Sequence, residues 1–152
     1  MSVQALIGPA GPLSRALDML QAPLALAARV YVSWVFLKSG YLKISNWDST
    51  LSLFQSEYHV PLLPPGLAAV LGTAGELVFP IFLIAGLFGR LSAIGLFAVN
   101  LLAVISYAHV LLQDGFEAAI AQHYLWGFML LMLIAYGPGA WSLDRWSSGR
   151  PR

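Results

Sequence analysis

The chain has 152 residues, of which 59% are hydrophobic and only 10% are charged, and its formal net charge is +1. Soluble domains usually carry about 25% charged residues, so this composition indicates one integral membrane domain, and it suggests no nucleic-acid partner. The sequence contains no cysteine, which excludes disulfides, thiolate metal sites and paired-thiol chemistry.

Four apolar stretches are each long enough to cross a bilayer as a helix, which takes about 20 residues. They cover residues 24–43, 66–88, 91–112 and 119–137, with turn-forming residues between them. We therefore predict an all-α membrane protein, an antiparallel bundle of four transmembrane helices with a short interfacial helix in the first outer loop. The predicted division is a cytoplasmic N-terminal amphipathic segment (1–22), the membrane domain (23–140) and a cytoplasmic basic tail (141–152).

The segment before the first span is amphipathic. Leu13, Leu17 and Leu20 lie on one face of a helix, which predicts a short helix on the cytoplasmic surface. Pro23 would then occupy the first turn of the first span, where its missing N–H is tolerated.

One face of the first span carries small residues between two cations. At 100° per residue this face comprises Arg29, Ser33, Phe36, Gly40 and Lys43. Small residues allow close helix approach in membranes, so we expect this face to point into the bundle.

The loop after the first span predicts a short helix. Asp48 can cap a helix over about 49–58, in which Leu51, Phe54 and Tyr58 share a face. We interpret it as an interfacial helix lying across the outer mouth of the bundle.

Glu76 lies in the middle of an uncharged apolar run over residues 67–87. A carboxylate at this depth costs roughly 3 kcal/mol on insertion scales. Three explanations stay open: Glu76 forms an ion pair with Arg29 or a lysine, stays protonated, or has a function.

The last two spans each carry a polar residue that fits two roles. Asn100, near the middle of the third span, is either an interhelical hydrogen-bond partner or part of a ligand site. His109 and His123 lie near helix ends and are either interfacial histidines or ligand contacts. The fourth span is predicted to end at Gly137.

We predict a polar pocket that opens outward around Glu76. Its candidate residues are Glu76, Arg29, Lys43, Asn100, His123, Tyr107 and Trp126. A carboxylate, a histidine and a tyrosine near a membrane interface suit a quinone-type head group, which needs hydrogen bonds and a route for protons.

Two other classes of site find less support. His59, His109 and His123 show no short-range ligand spacing, so no metal site is predicted, and they stay weak candidates. No catalytic motif is present. Whether the protein is an enzyme stays open, and at most it would be a subunit of a quinone-linked oxidoreductase.

The run RVYVSWVFLKSGYLKI over residues 29–44 resembles the opening signature of the DoxX family, in which an arginine begins the first span and Gly-x-x-Lys closes it. The resemblance covers about residues 22–145. It continues through Trp47-Asp48, YHVPLLPP at 58–65, Gly75-Glu76-Leu77, Gly86 with Gly89-Arg90, VISY at 104–107, and Gln122-His123 before Trp126-Gly127. Close relatives have paired histidines where this chain has His123-Tyr124.

The resemblance implies a bacterial inner-membrane protein of four spans. Some members of the family resemble small subunits of thiosulfate:quinone oxidoreductases, while others are linked to redox-stress complexes or lie beside genes for metal-responsive proteins. The expected function is a redox- or quinone-linked accessory subunit, with quinone as the candidate cofactor. The alternative is a non-enzymatic membrane anchor for a periplasmic or metal-handling partner. A protein partner is expected in both cases, and a homo-oligomer stays open.

The distribution of positive residues predicts the orientation. In a four-span arrangement one side holds Arg15, Arg29, Arg90, Arg145, Arg150 and Arg152. Cytoplasmic loops are enriched in Lys and Arg, so we expect both termini in the cytoplasm.

Overall fold

The computed structural model of the protein describes residues 11–149, which contain seven helices and no strand. They are α1 (Pro12–Ser45), α2 (Trp47–Ser56), α3 (Pro65–Ala85), α4 (Gly89–Ser106), α5 (Ala108–Leu111), α6 (Glu117–Tyr136) and α7 (Leu143–Ser147). Four of them, α1, α3, α4 and α6, are long and apolar enough to cross a membrane. The predicted all-α fold with four membrane-spanning helices is confirmed, and the chain is a multi-pass membrane protein.

The spanning helices pack in chain order. α1 packs chiefly on α3, α3 on α4, and α4 on α6, while a smaller contact between α1 and α6 closes the bundle. The apolar core between them comprises Val32, Phe36, Leu83, Ala93, Leu96, Leu130 and Leu133. We name the two ends of the bundle by their contents: the α2 end carries α2 and α5, and the Arg90 end carries the turn between α3 and α4.

Glycines set how closely the helices approach. A Cβ atom at Gly40 of α1 would come within 2.9 Å of the Leu77 side chain on α3. A Cβ atom at Gly75 of α3 would come within 2.7 Å of Val99 on α4. Both interfaces therefore depend on glycine at these positions, as expected for helix pairs in membranes.

α1 begins at Pro12, whereas the sequence pattern predicts a separate surface helix and a span that begins at Pro23. The amphipathic residues 13–20 are instead continuous with the span. Pro23 lies inside the helix, where the loss of one backbone hydrogen bond does not end it. A helix of 34 residues is about 51 Å long, so α1 extends well beyond a hydrocarbon core of about 30 Å.

α2 covers the α2 end of the bundle, but its N-terminal cap is Asn46 and not Asp48. The Asn46 side chain accepts a hydrogen bond from the Ser49 N–H at 3.2 Å, because the chain bends at Asn46 and places Asp48 in the first turn. Phe54 is buried against Ala68 and Ala69 of α3. The apolar face predicted for this helix therefore packs onto the bundle.

One further boundary differs from the predicted spans. The stretch predicted as one span over 91–112 is divided, since α4 ends at Ser106 and the short α5 follows Tyr107. The turn before α4 is tight: Gly86 has φ +67° and Phe88 has φ +50°. The turn makes α3 and α4 antiparallel neighbours, as predicted.

Candidate functional site

Lys43 and Glu76 form an ion pair inside the bundle. The Lys43 Nζ atom donates to Glu76 Oε1 at 2.7 Å, to Glu76 Oε2 at 2.6 Å and to Ser39 Oγ at 2.9 Å. The exposed fractions of the two side chains are 14% for Lys43 and 8% for Glu76. Of the cations considered for Glu76, the structure therefore selects Lys43.

The position of this pair follows from the α1–α3 interface. Lys43 lies one turn after Gly40, the residue at which α1 approaches Leu77 and the Cβ atom of Glu76. Helical side chains tilt towards the helix N-terminus, so Glu76 leans towards the α2 end, where Lys43 lies. The close contact at Gly40 thus places the ammonium group on the carboxylate.

A cavity of about 190 Å³ adjoins the pair. Its wall is apolar except for a few groups, chiefly the pair itself, Tyr58 and Ser106. The remaining lining residues are Phe54, Val60, Leu63, Ala68, Leu71, Gly72, Val99, Leu102 and Ala103. The cavity therefore lies between α3 and α4, with α2 and the loop after it at one end and Lys43 of α1 reaching its wall.

Ser106 lines the cavity and carries a buried hydroxyl group. Among residues 11–149, its side-chain oxygen has no hydrogen-bond partner, and the residue is only 3% exposed. An unpaired buried hydroxyl costs free energy, which a hydrogen bond from a ligand or water would recover. Ser106, Gly72 and Ser39 were not predicted as site residues. The spacing of Val99 and Ser106, two helical turns apart, is the signal that places both on one face of α4.

A cluster of aromatic and acidic side chains lies between the cavity and the α2 end. The Tyr58 ring, in the cavity wall, packs edge-on against the Tyr107 ring with centroids 5.0 Å apart. The Tyr107 hydroxyl donates to Glu57 Oε2 at 3.1 Å. Burial, followed by the charge of Glu76, raises the pKa of Tyr58 to about 12. Tyr58 therefore remains a neutral hydrogen-bond donor at physiological pH.

Asn100 and His123 form a second polar cluster, separate from the cavity. Asn100 Nδ2 donates to the His123 carbonyl oxygen at 3.1 Å, and His123 Nδ1 lies 2.9 Å from Asn100 Oδ1. The Trp126 ring packs on His123 with centroids 4.9 Å apart, and its buried Nε1 has no hydrogen-bond partner in the part of the chain that the structure describes. Asn100 thus acts as an interhelical hydrogen-bond partner between α4 and α6.

Arg29 lies at the Arg90 end, away from the cavity. Its guanidinium donates to the carbonyl oxygens of Ile84, at 2.9 Å, and Pro138, at 2.5 Å. Arg29 therefore joins α1 to the end of α3 and to the segment after α6. In the same region Asp144 accepts hydrogen bonds from the N–H groups of Phe88 and Gly89 at the start of α4.

The seven residues predicted to share one pocket thus occupy four places. Lys43 and Glu76 line the cavity, Tyr107 lies beyond it, Asn100, His123 and Trp126 form the second cluster, and Arg29 is at the Arg90 end. The weak metal candidates are also divided: the rings of His59 and His109 lie 4.6 Å apart at the α2 end, while His123 contacts Asn100. Within residues 11–149, no three histidine, aspartate or glutamate residues are grouped to hold a metal ion.

Comparisons with known proteins agree with the resemblance in the sequence. A family model described as DoxX matches residues 24–109. A protein of Haemophilus influenzae, described as an uncharacterized protein, is 29% identical to this chain over 126 residues, which cover 78% of this chain and 80% of that protein. No solved structure matches the chain. The family model covers more than half of the sequence, and the chain belongs to the DoxX family.

Proposed function

We propose that this protein binds the head group of a quinone-type molecule in the cavity beside Lys43 and Glu76. In this proposal it is an accessory subunit, and a separate protein partner supplies the redox centre. The observation that carries the proposal is an ion pair in the wall of a mostly apolar cavity between membrane-spanning helices.

The presence of two charges inside the bundle, on Lys43 and Glu76, supports a role for the pair other than stabilising the fold. Replacing a buried ion pair by well-packed apolar residues is often neutral or stabilising, so packing alone gives little reason to keep Lys43 and Glu76. Ionisable residues inside transmembrane segments usually mark functional sites. The pair is also not sealed in a solid core, because both residues line the cavity.

The size of the cavity suits a six-membered ring with substituents. An engineered apolar cavity of about 150 Å³ is large enough to hold benzene. A volume of about 190 Å³ leaves room for the two carbonyl oxygens that distinguish a benzoquinone from benzene. Pockets of this kind typically combine apolar walls with a few polar groups that orient the ligand.

The polar groups match both redox forms of such a ring. The Ser106 and Tyr58 hydroxyls can donate to a carbonyl oxygen, while the Glu76 carboxylate keeps lone pairs that can accept from a ring hydroxyl. A bound quinone would supply two-electron chemistry coupled to proton transfer. The role of this chain would be to hold the ring and to accept or release a proton at Glu76, with Lys43 stabilising the charged carboxylate.

The test is the affinity of the purified protein for a tail-less benzoquinone, measured in one detergent for the wild type, Glu76→Gln and Asp48→Asn. Asp48→Asn removes an exposed carboxylate outside the cavity and serves as the matched control. We expect the wild type and the control to bind alike and Glu76→Gln to bind at least about tenfold more weakly. Absence of binding, or equal binding by all three proteins, would refute the proposal.

The second candidate function is a non-enzymatic anchor for a protein partner. The apolar face of α2 packs onto the bundle, but Leu62, in the loop after α2, is fully exposed with φ +65°. A partner that covers Leu62 would explain this exposure. Cross-linking in intact membranes tests the idea: Leu62→Asp should abolish a cross-linked species that the wild type forms, and an unchanged pattern would count against it.

We further propose a bacterial inner-membrane location with both termini in the cytoplasm. The supporting observation is that Arg29, Arg90 and Arg145 all lie at the Arg90 end, as the positive-inside rule requires of the cytoplasmic side. The chain has no native cysteine, so single substitutions report topology cleanly. In spheroplasts, a membrane-impermeant thiol reagent should label Ser52→Cys but not Ser148→Cys. Labelling of Ser148→Cys but not of Ser52→Cys would contradict the proposal and indicate the opposite orientation.

A further inference from the structure

The cavity has exposed lining on one side only. Two of its lining residues, Leu71 of α3 and Leu102 of α4, are exposed, by 51% and 40%, while the other lining residues are buried or half-buried. Both leucines lie in membrane-spanning helices that are neighbours in the bundle. The exposed part of the cavity wall therefore faces the bilayer.

The α2 end of the cavity is closed by tertiary contacts. Phe54, in the wall, is only 6% exposed and packs against Tyr58 with ring centroids 4.8 Å apart. The His59 N–H donates to the Ser106 carbonyl oxygen at 2.9 Å, which fastens the loop after α2 to the end of α4. A ligand that came from the water phase at this end would have to break this packing.

The other end of the cavity is closed by a helix contact. Gly75 of α3 and Val99 of α4 approach so closely that a Cβ atom at Gly75 would lie 2.7 Å from the valine. Between this contact and the α2 cover, the gap between α3 and α4 is bordered by Leu71 and Leu102. This gap is the part of the cavity wall that is exposed to lipid.

We infer that the ligand of this cavity is an amphiphile from the bilayer, with a polar ring at Lys43 and Glu76 and an apolar tail that leaves between Leu71 and Leu102. This inference rests on the proposed function and adds the class of ligand and its path. An apolar tail has no hydrogen-bonding groups, so it can lie in this gap between leucine side chains and surrounding lipid without leaving any polar group unpaired.

The test compares two ligands and three proteins in nanodiscs of one lipid composition. The ligands are a tail-less benzoquinone and the same ring with a decyl tail. The proteins are the wild type, Leu102→Trp and Leu101→Trp. Leu101 is a neighbouring leucine on α4, exposed by 46%, that does not line the cavity, so Leu101→Trp is the matched control. The tailed ring partitions into the lipid to the same extent for all three proteins, so differences in affinity between them report on the protein.

We expect Leu102→Trp to weaken binding of the tailed ring about tenfold or more, because the indole overfills the gap, and to change binding of the tail-less ring much less. Leu101→Trp should bind both ligands like the wild type. Equal affinities of the tailed ring for all three proteins, or an equal loss of both ligands in Leu102→Trp, would overturn the tail path while leaving the head-group site standing. If the wild type bound neither the tail-less nor the tailed ring, both the head-group site and the tail path would be overturned.

A photoreactive group on the tail carbon atoms next to the ring gives an independent readout. We expect it to label the wild-type chain on α3 and α4 near Leu71 and Leu102. Labelling confined to the loop between α2 and α3 would show that the tail leaves at the α2 end, which contradicts the inference.

Discussion

Gly40 lies so close to Leu77 that a Cβ atom at position 40 would come within 2.9 Å of the leucine side chain. One turn later on α1, Lys43 donates to both carboxylate oxygens of Glu76. The ion pair therefore depends on a glycine that carries no chemistry of its own. The stability of the bundle and the geometry of the candidate site are set by the same interface.

Gly40→Ala should destabilise the protein more than Gly66→Ala does. Both substitutions gain helix propensity, but of the two positions only Gly40 lacks space for a methyl group, since a Cβ atom at Gly66 would have no neighbour within 4 Å among the described residues. We expect the difference in the free energy of unfolding to be about 1–3 kcal/mol, as for other overpacked sites. Thermal unfolding of both variants in one detergent measures it, and equal midpoints would contradict a tight α1–α3 contact.

Removing either partner of the ion pair should cost more than removing both. Lys43→Met and Glu76→Leu each leave one charge unpaired inside the bundle, which typically costs about 3–5 kcal/mol. The double variant removes both charges and should be closer in stability to the wild type than either single variant. Lys38→Met is the control, because Lys38 is exposed on the same helix. Strictly additive losses in the double variant would show that the two residues do not interact.

Asn100→Ala should loosen His123 without abolishing the fold. The variant loses both hydrogen bonds between α4 and α6, and interhelical hydrogen bonds in membranes average about 0.6 kcal/mol each. Because Asn100 Nδ2 donates to the His123 carbonyl, its Oδ1 accepts, so the proton of neutral His123 lies on Nδ1. Nitrogen NMR of labelled histidine should show this tautomer in the wild type and a mixture in the variant. A mixture already present in the wild type would contradict the assignment.

Stability should fall at alkaline pH through Tyr58. Its pKa is raised from about 10 to about 12 by burial first and then by the charge of Glu76. Below pH 10 both the folded and unfolded states hold the phenol proton, whereas between pH 10 and 12 the unfolded state loses it first. The free energy of unfolding should therefore decrease as the pH rises through this window, by about 3 kcal/mol in total. Tyr58→Phe should flatten the decrease, and an unchanged slope in that variant would assign it to other groups.

Periodicity predicts the membrane class, the four spans and the inward face of α1, because these depend only on where apolar and small residues recur. It does not predict which cation pairs with Glu76. That depends on how far α1 and α3 slide past each other, which the Gly40 contact decides. The partners of Arg29 are backbone carbonyl oxygens of Ile84 and Pro138, and carbonyl acceptors have no sequence signal. Sequence patterns therefore predict one polar pocket where the structure has several separate polar sites.

The most direct test of the central claim fills the cavity without replacing Lys43 or Glu76. Gly72 lines the cavity, and a Cβ atom there would meet only the Phe54 ring, at 3.6 Å. The measurement is the dissociation constant of a tail-less benzoquinone for the wild type, Gly72→Leu and Gly66→Leu, which places the same side chain in open space on the same helix. We predict that Gly72→Leu loses binding while Gly66→Leu retains wild-type affinity. Equal affinity of all three proteins would contradict a head-group site in this cavity.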